Sequence, residues 1–200
     1  MRALASLARV YENAHDLERG RATLNKALKI AETATERAEL YWRLGRLEAE
    51  EGGDEAAEPL FRKGLAEDPH HPPSLKALEA IARQRGDWLL LVEVLIAEEG
   101  TVDPAAQRAY YLELATLLTD RLRDTRRAQP YLEKAVALAP EDPAVLEPLA
   151  DLYFASGRLD EAATLYRSLV ERLQKTRRMK DVARLRARLG AIAEQRGESG

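Results

Sequence analysis

Apolar residues recur three or four positions apart in short runs, and each run is broken by glycine, proline or a polar turn. The runs come in pairs. In the clearest pair, Leu146, Leu149, Ala150 and Tyr153 share one face of a predicted helix, and Ala162, Leu165, Tyr166 and Leu169 line the face of the next. The small residues Ala150 and Ala162 let the two axes approach closely, while Tyr153 and Tyr166 fill the space beside them. Between the helices stands Ser156-Gly157-Arg158, in which Gly157 is free to take the positive φ that ends a helix. Asp160-Glu161 then places negative charge at the start of the second helix, where the helix dipole favours it.

The same design returns about every 34 to 40 residues, a period that predicts stacked helix pairs. Tyr41, Leu44-Gly45, Gly52, Ala57, Phe61 and Pro69 form a second copy. Leu7-Ala8, Tyr11, Leu24 and Ala27-Leu28 form another, and Tyr111, Leu114-Ala115, Ala128, Leu132, Ala135 and Pro140 a further one. That last copy has one extra residue in its internal turn. The copy holding Leu75, Leu78, Gly86-Asp87 and Leu95 is the weakest, because Glu79 and Glu98 stand where small residues are expected.

This series of aromatic, Leu-Gly/Ala, Tyr, Ala, Tyr/Phe, Ala and Pro resembles the tetratricopeptide repeat. The resemblance implies an all-α, right-handed superhelical solenoid of stacked antiparallel helix pairs. Five units are expected at about 1–37, 38–71, 72–107, 108–142 and 143–177, with a terminal helix near 178–196, forming a single array over 1–200. About eleven helices follow. Gly20 and Gly64 depart from the pattern where alanine is usual.

A longer repeat lies beneath the short one. Pro59 and Pro130 fall at the same place in two second helices, and Ala80-Ile-Ala-Arg-Gln-Arg-Gly86 recurs as Ala191-Ile-Ala-Glu-Gln-Arg-Gly197. The second heptapeptide sits where another repeat would begin, so a segment of a longer array is expected. The Arg- and Ala-rich composition suits a bacterial protein.

Composition narrows the function further. The net charge of −3 with 32% charged residues gives a mixed surface and no global reason for nucleic acid or membrane binding, so neither partner is expected. There is no cysteine, which removes thiol chemistry and zinc–thiolate sites. No apolar run is long enough to span a bilayer, and charge interrupts the N-terminus too early for a signal core; a cytoplasmic location is expected. No phosphate loop, nucleophile elbow or His-Glu-x-x-His helix is present, so no enzyme activity, cofactor or metal is expected. His15 and the pair His70-His71 fall in turns and are expected to be solvated.

The expected function is that of a noncatalytic scaffold binding a protein or peptide. In tetratricopeptide arrays the groove is lined by first-helix residues that face away from the second helices. Carried over, those positions are Arg9, Trp42, Arg43, Arg46, Lys76, Arg83, Glu113, Asp120, Glu147, Asp151 and Phe154, flanked by Arg2, Asn13, Glu50, Gln84 and Thr116. The lining is thus basic at first and acidic later. Trp42 among arginines either anchors a ligand or shields a repeat junction. The carboxylate clamp of chaperone-binding members is not expected, since Ala5, Arg43, Pro73 and Ala77 stand at its positions with only Arg9 and Arg43 cationic. Pro148, inside a first helix, either kinks it to open a pocket or is simply tolerated.

Two other surfaces compete with the groove. Trp88 to Ile96 is apolar nearly all round, leaving Leu89, Leu90 and Ile96 in excess of the core-facing Leu91 and Leu95. They mark a self-association surface, or the stretch 98–102 folds back over them. The last helix clusters Arg172, Lys175, Arg177, Arg178, Lys180, Arg184, Arg186 and Arg188 above a stripe of Val182, Leu185, Leu189 and Ile192. It is expected to dock by that stripe as a polar end cap. Homo-oligomerisation, or regulation of a larger protein, are the alternatives to peptide binding.

Overall fold

The structure, a computed structural model, describes residues 2–175 and 177–197. Both ends of the expected array, and one position of its fifth unit, fall outside the described residues. Among the described residues there are helices and turns but no β-strand. The chain divides into two compact units, Met1–Thr101 and Val102–Gly200.

The first unit contains α1 (Arg2–Asn13), α2 (Leu17–Leu28), α3 (Ala34–Glu67), α4 (Pro72–Arg85) and α5 (Trp88–Glu98), with a 3₁₀ turn over Glu99–Thr101. Each helix packs on the next in sequence. Polar residues set the starts. Asp16 accepts a hydrogen bond from the Arg19 N–H at 3.1 Å and Asp87 one from the Leu90 N–H at 3.0 Å. Thr33 and Glu36 form a reciprocal capping box at the start of α3. The Glu36 carboxyl is accordingly held below its ordinary range by the backbone N–H groups of Glu32 and Thr33.

The break between the two helices of this repeat falls at Gly53, one residue beyond Gly52. α3 runs through both halves of its repeat, and only Gly53, at φ 70°, leaves helical geometry. A side-chain-free residue can adopt that backbone without strain, so the chain turns back there and α3 is two helical arms joined at Gly53. Gly45 serves a different need. A Cβ placed on it would lie 2.5 Å from the Phe61 ring, so its absence lets the two arms of α3 close upon each other. At Gly64 the same vacancy accommodates the Ser74 hydroxyl, with 2.7 Å to a would-be Cβ, and at Gly20 it accommodates Leu47. These contacts explain both departures from alanine. Ala8, Leu24, Ala27, Leu40, Leu44 and Leu47 make one buried cluster across α1, α2 and α3.

The second unit contains α6 (Gln107–Thr116), a π turn over Leu117–Arg121, α7 (Thr125–Leu138), α8 (Pro143–Ala155), α9 (Leu159–Lys175) and α10 (Met179–Gln195). The π turn absorbs the extra residue expected in this repeat. The Leu122 N–H reaches back five residues to the Leu117 carbonyl, and Arg123 turns the chain at φ 56° before Asp124 caps α7 through the Arg127 N–H at 3.0 Å. Gly157 takes φ 74° between α8 and α9, as its position requires. Pro59 and Pro130 lie inside α3 and α7, and Pro148 inside α8.

Tyr166 is fully buried, and its hydroxyl donates to Asp151 at 2.5 Å. Burial, joined by this carboxylate, pushes the phenol well above its ordinary value of 10. Tyr153 is raised for the same reasons, with its hydroxyl donating to Glu133 at 2.9 Å. Val182, Leu185 and Ile192 of α10 are buried, so the last helix docks by its apolar stripe.

Candidate functional site

In the first unit, α1 and the first arm of α3 enclose a hollow of about 570 Å³ lined by Arg9, Glu12, Asn13, His15, Glu39, Trp42, Arg43, Arg46, Leu47 and Glu50. It brings together four of the expected groove residues: Arg9, Trp42, Arg43 and Arg46. They do not play equal parts. Arg43 is only 6% exposed and is fully engaged by its own fold. Its guanidinium meets Glu12 at 2.7 and 2.9 Å and donates to the Ala5 carbonyl at 3.1 Å. The expectation of Arg43 as a ligand anchor is therefore corrected: it ties α3 to α1. The physical reason is proximity, since a long side chain beside a repeat junction finds a carboxylate one repeat earlier before it finds solvent.

The other hollow residues remain more open. Arg46 is exposed and lies over the half-buried Trp42 ring, 5.2 Å from its centroid. Arg9 is exposed and meets no carboxylate among the described residues. The acids in the hollow all have nearby partners: Glu12 holds Arg43, Glu50 lies 3.7 Å from His15, and Glu39 lies 3.4 Å from His71. The expected basic lining is thus mixed in composition, yet its uncommitted charges, Arg9 and Arg46, are cationic.

Lys76 and Arg83 are exposed on α4 but do not line this hollow. Arg83 bonds Glu79 at 2.9 Å. Near them the Glu98 carboxyl is raised, chiefly by burial and then by Glu79, while Lys76 and Arg83 oppose the shift. The two glutamates that seemed misplaced in this repeat therefore sit beside cations that balance them.

His71 corrects another expectation. It is buried rather than solvated, with Nδ1 2.9 Å from the Ser74 hydroxyl and Nε2 3.4 Å from Glu39. Ser, His and Glu in that order resemble a hydrolytic triad, but Ser74 is 0% exposed and wedged against Gly64. No substrate carbonyl can approach its oxygen, so the trio secures the start of α4 against α3. Among the described residues no three acidic or imidazole groups are arranged to hold a metal ion.

In the second unit a hollow of about 380 Å³ lies between α6 and α8, lined by Thr116, Thr119, Asp120, Arg123, Pro148, Asp151 and neighbours. Asp120 is exposed here. Asp151 accepts the Tyr166 hydroxyl and faces Arg188 at 3.9 Å, and Glu147 is paired with Arg184. Phe154 lies beneath the Arg188 guanidinium, 5.4 Å from the ring centroid. Glu113 is half-buried on α6 and does not line the hollow. The acidic lining is thus largely answered by arginines of α10.

The signal missed in the sequence is a pairing at one-repeat spacing. Arg43 meets Glu12 across 31 residues and Arg184 meets Glu147 across 37. Opposite charges one period apart on equivalent helices are visible in the letters once the register is known.

The apolar surplus on α5 is also resolved. Leu90 is 3% exposed and faces Leu65 and Ala66 of α3, so it belongs to the core and not to a self-association surface. Ile96 is half-buried, and Leu89 alone of the three is strongly exposed, at 53%.

Comparison with known proteins gives the arrangement a family. Two models described as tetratricopeptide repeat match residues 2–33 and 121–189, together about half of the chain. No curated protein shows a significant match. Among solved structures, YrrB, described as a TPR protein with an unusual peptide-binding site, is 18% identical, with 88% of this chain and 84% of that chain covered and a TM-score of 0.51. Pseudomonas aeruginosa pilF is 21% identical over 96% of this chain and 88% of that one, with a TM-score of 0.42. A tetratricopeptide repeat protein from Parabacteroides merdae is 13% identical over 98% and 73%, with a TM-score of 0.47. No described helix is long and apolar enough to cross a membrane. The residues matched at both ends of the chain, and the fold it has in common with YrrB, make this chain a member of the tetratricopeptide repeat family.

Proposed function

We propose that this chain is a noncatalytic protein-interaction scaffold, and that the hollow between α1 and α3 receives an acidic, aromatic-containing segment of its partner. Family membership supports the scaffold role. The observation that carries the site is the exposed guanidinium of Arg46 over the Trp42 ring, with Arg9, which meets no carboxylate among the described residues, lining the same hollow. A carboxylate of the ligand would add hydrogen bonds to a guanidinium already held in place by the indole, and an aromatic ligand residue would cover the indole edge. Arg43 and Glu12, by fixing α3 to α1, keep the hollow formed before the ligand arrives and so reduce the entropy lost on binding. In the second unit, the exposed Asp120 offers a carboxylate to a basic residue. We read the five units and terminal helix as one array.

The test is selection from a displayed library of random twelve-residue peptides, with the wild type compared with Trp42→Ala/Arg46→Glu at equal helicity. Peptides rich in Asp, Glu and aromatic residues should be retained by the wild type and lost by the variant. Retention of the same peptides by both would move the site elsewhere. Arg43 is left unchanged in this test because its substitution would loosen the fold.

A further inference from the structure

The net charge of −3 conceals a strong local asymmetry. Between residues 167 and 188 there are nine arginines and lysines and only two acids, Glu171 and Asp181. Elsewhere the arginines mostly meet carboxylates of their own chain: Arg37 meets Glu67, Arg62 meets Glu58, Arg108 meets Asp142 and Arg158 meets Glu161. On the α9–α10 hairpin two acids cannot answer nine cations. Arg172, Arg178, Arg184 and Arg188 have acidic or aromatic partners. Arg167, Lys175, Arg177, Lys180 and Arg186 are exposed and meet no carboxylate among the described residues. Beside them Met179 is 60% exposed. The hairpin thus carries five exposed cations with no carboxylate partner among the described residues, together with an exposed thioether.

We infer that the α9–α10 hairpin is a second docking surface, separate from the hollow of the first unit, and that its partner is an acidic polypeptide segment carrying at least one apolar side chain. Three features select this chemistry. Arginine and methionine are enriched at protein interfaces, and the planar guanidinium matches a carboxylate with two parallel hydrogen bonds. Glu171 stands exposed within the basic stretch, where a uniform polyanion would meet repulsion, whereas a polypeptide can set a cation against it. Arg167 and Arg186 also lie about two helical turns back from the hairpin tip, roughly 10–12 Å at 1.5 Å per residue. A flat anionic bilayer touching the tip would be screened from them over a Debye length of about 8–10 Å, while an extended segment can run along the hairpin past its tip. Nucleic acid phosphates would satisfy the cations but leave Met179 without a role, and the hairpin has no aromatic side chain at its tip on which a base could stack.

The experiment is fluorescence anisotropy of the full chain with three probes at about 100 mM salt, where the Debye length is about 10 Å. These are a labelled peptide of repeating Glu-Glu-Leu, a labelled 20-base-pair duplex, and vesicles containing phosphatidylglycerol. The peptide should bind best. Arg177→Glu/Lys180→Glu should weaken it at least tenfold, Met179→Ser severalfold, and Arg46→Glu much less than the hairpin reversal. All of these are exposed positions, and circular dichroism should show unchanged helicity. If the hairpin reversal leaves peptide affinity unchanged, or if duplex or vesicles bind more tightly than the peptide, the inference is overturned. A loss caused by Arg46→Glu alone would assign the peptide to the first-unit hollow and reject the hairpin, so the two sites are separable.

Discussion

Gly45→Ala gives a sharp test of how this fold closes. The new Cβ would lie 2.5, 2.7 and 3.1 Å from three carbons of the Phe61 ring, well inside van der Waals contact. Phe61 is buried, so its ring cannot swing into solvent. Overfilling a packed site costs about 1–3 kcal/mol. Against this, alanine is favoured over glycine in a helix interior by about 0.5–1 kcal/mol. The net expectation is a loss of up to about 2.5 kcal/mol. Gly190→Ala is the matched control: Gly190 lies inside α10 with nothing within 4 Å of a would-be Cβ, so only the propensity gain of about 0.5–1 kcal/mol remains. Urea unfolding followed by circular dichroism at 222 nm should therefore move the two variants in opposite directions. Phe61→Leu should recover part of the loss when combined with Gly45→Ala, although alone it leaves a hole. Equal stabilisation by both alanines would refute the close approach of the two arms of α3.

The remaining predictions concern charge. Arg43→Met should cost about 2–3 kcal/mol, because it strands a Glu12 side chain that is only 17% exposed, and Glu12→Gln in that background should restore some of it, as read by urea titration. A stable Arg43→Met protein that has lost peptide binding would show instead that the residue belongs to the ligand. At alkaline pH, Tyr166 stays protonated in the fold while the unfolded chain ionises near pH 10. Stability is therefore complete below about pH 10 and falls as pH rises towards the folded value, and Tyr166→Phe should flatten that fall in a pH series of urea midpoints. An unchanged slope would remove Tyr166 as its source. Finally, Thr33→Ala should lower stability by about 1 kcal/mol through loss of the capping bond to the Glu36 N–H, measured by the same titration.

The helical pattern was legible because every first and second helix must hide a stripe at 3.6-residue spacing, and Leu146, Ala150, Ala162 and Tyr166 advertise that stripe directly. The turn at Gly157 was legible for the same local reason. What could not be read depends on distances between repeats. Arg43 looked like a groove residue because first-helix geometry points it there, but its reach to Glu12 depends on how far α1 and α3 stand apart. His71 looked solvated because it follows a turn, although the vacancy at Gly64 draws Ser74, and with it the imidazole, into the interior. Leu90 seemed surplus on a helical wheel drawn for one buried face. The second arm of α3 supplies another neighbour and makes that face wider. The break near Gly52, by contrast, was legible in the same way as the turn at Gly157, although the positive φ falls on Gly53.

The Glu12–Arg43 contact bears on what this chain can become as well as on how it stands. In the register set by Leu44-Gly45, Leu78-Glu79 and Leu149-Ala150, the positions equivalent to Arg43 are Ala77 and Pro148, and those equivalent to Glu12 include Arg83 and Phe154. Deleting the second repeat would bring Ala77 to face Glu12, and duplicating the third ahead of the second would set Arg83 against Arg43. The repeats look alike by their apolar letters, but each carries in its charges the identity of the neighbour it must have. Copies of this chain can drift in surface and ligand without reordering; they cannot be shuffled like beads without breaking the contact that tells one bead which comes next.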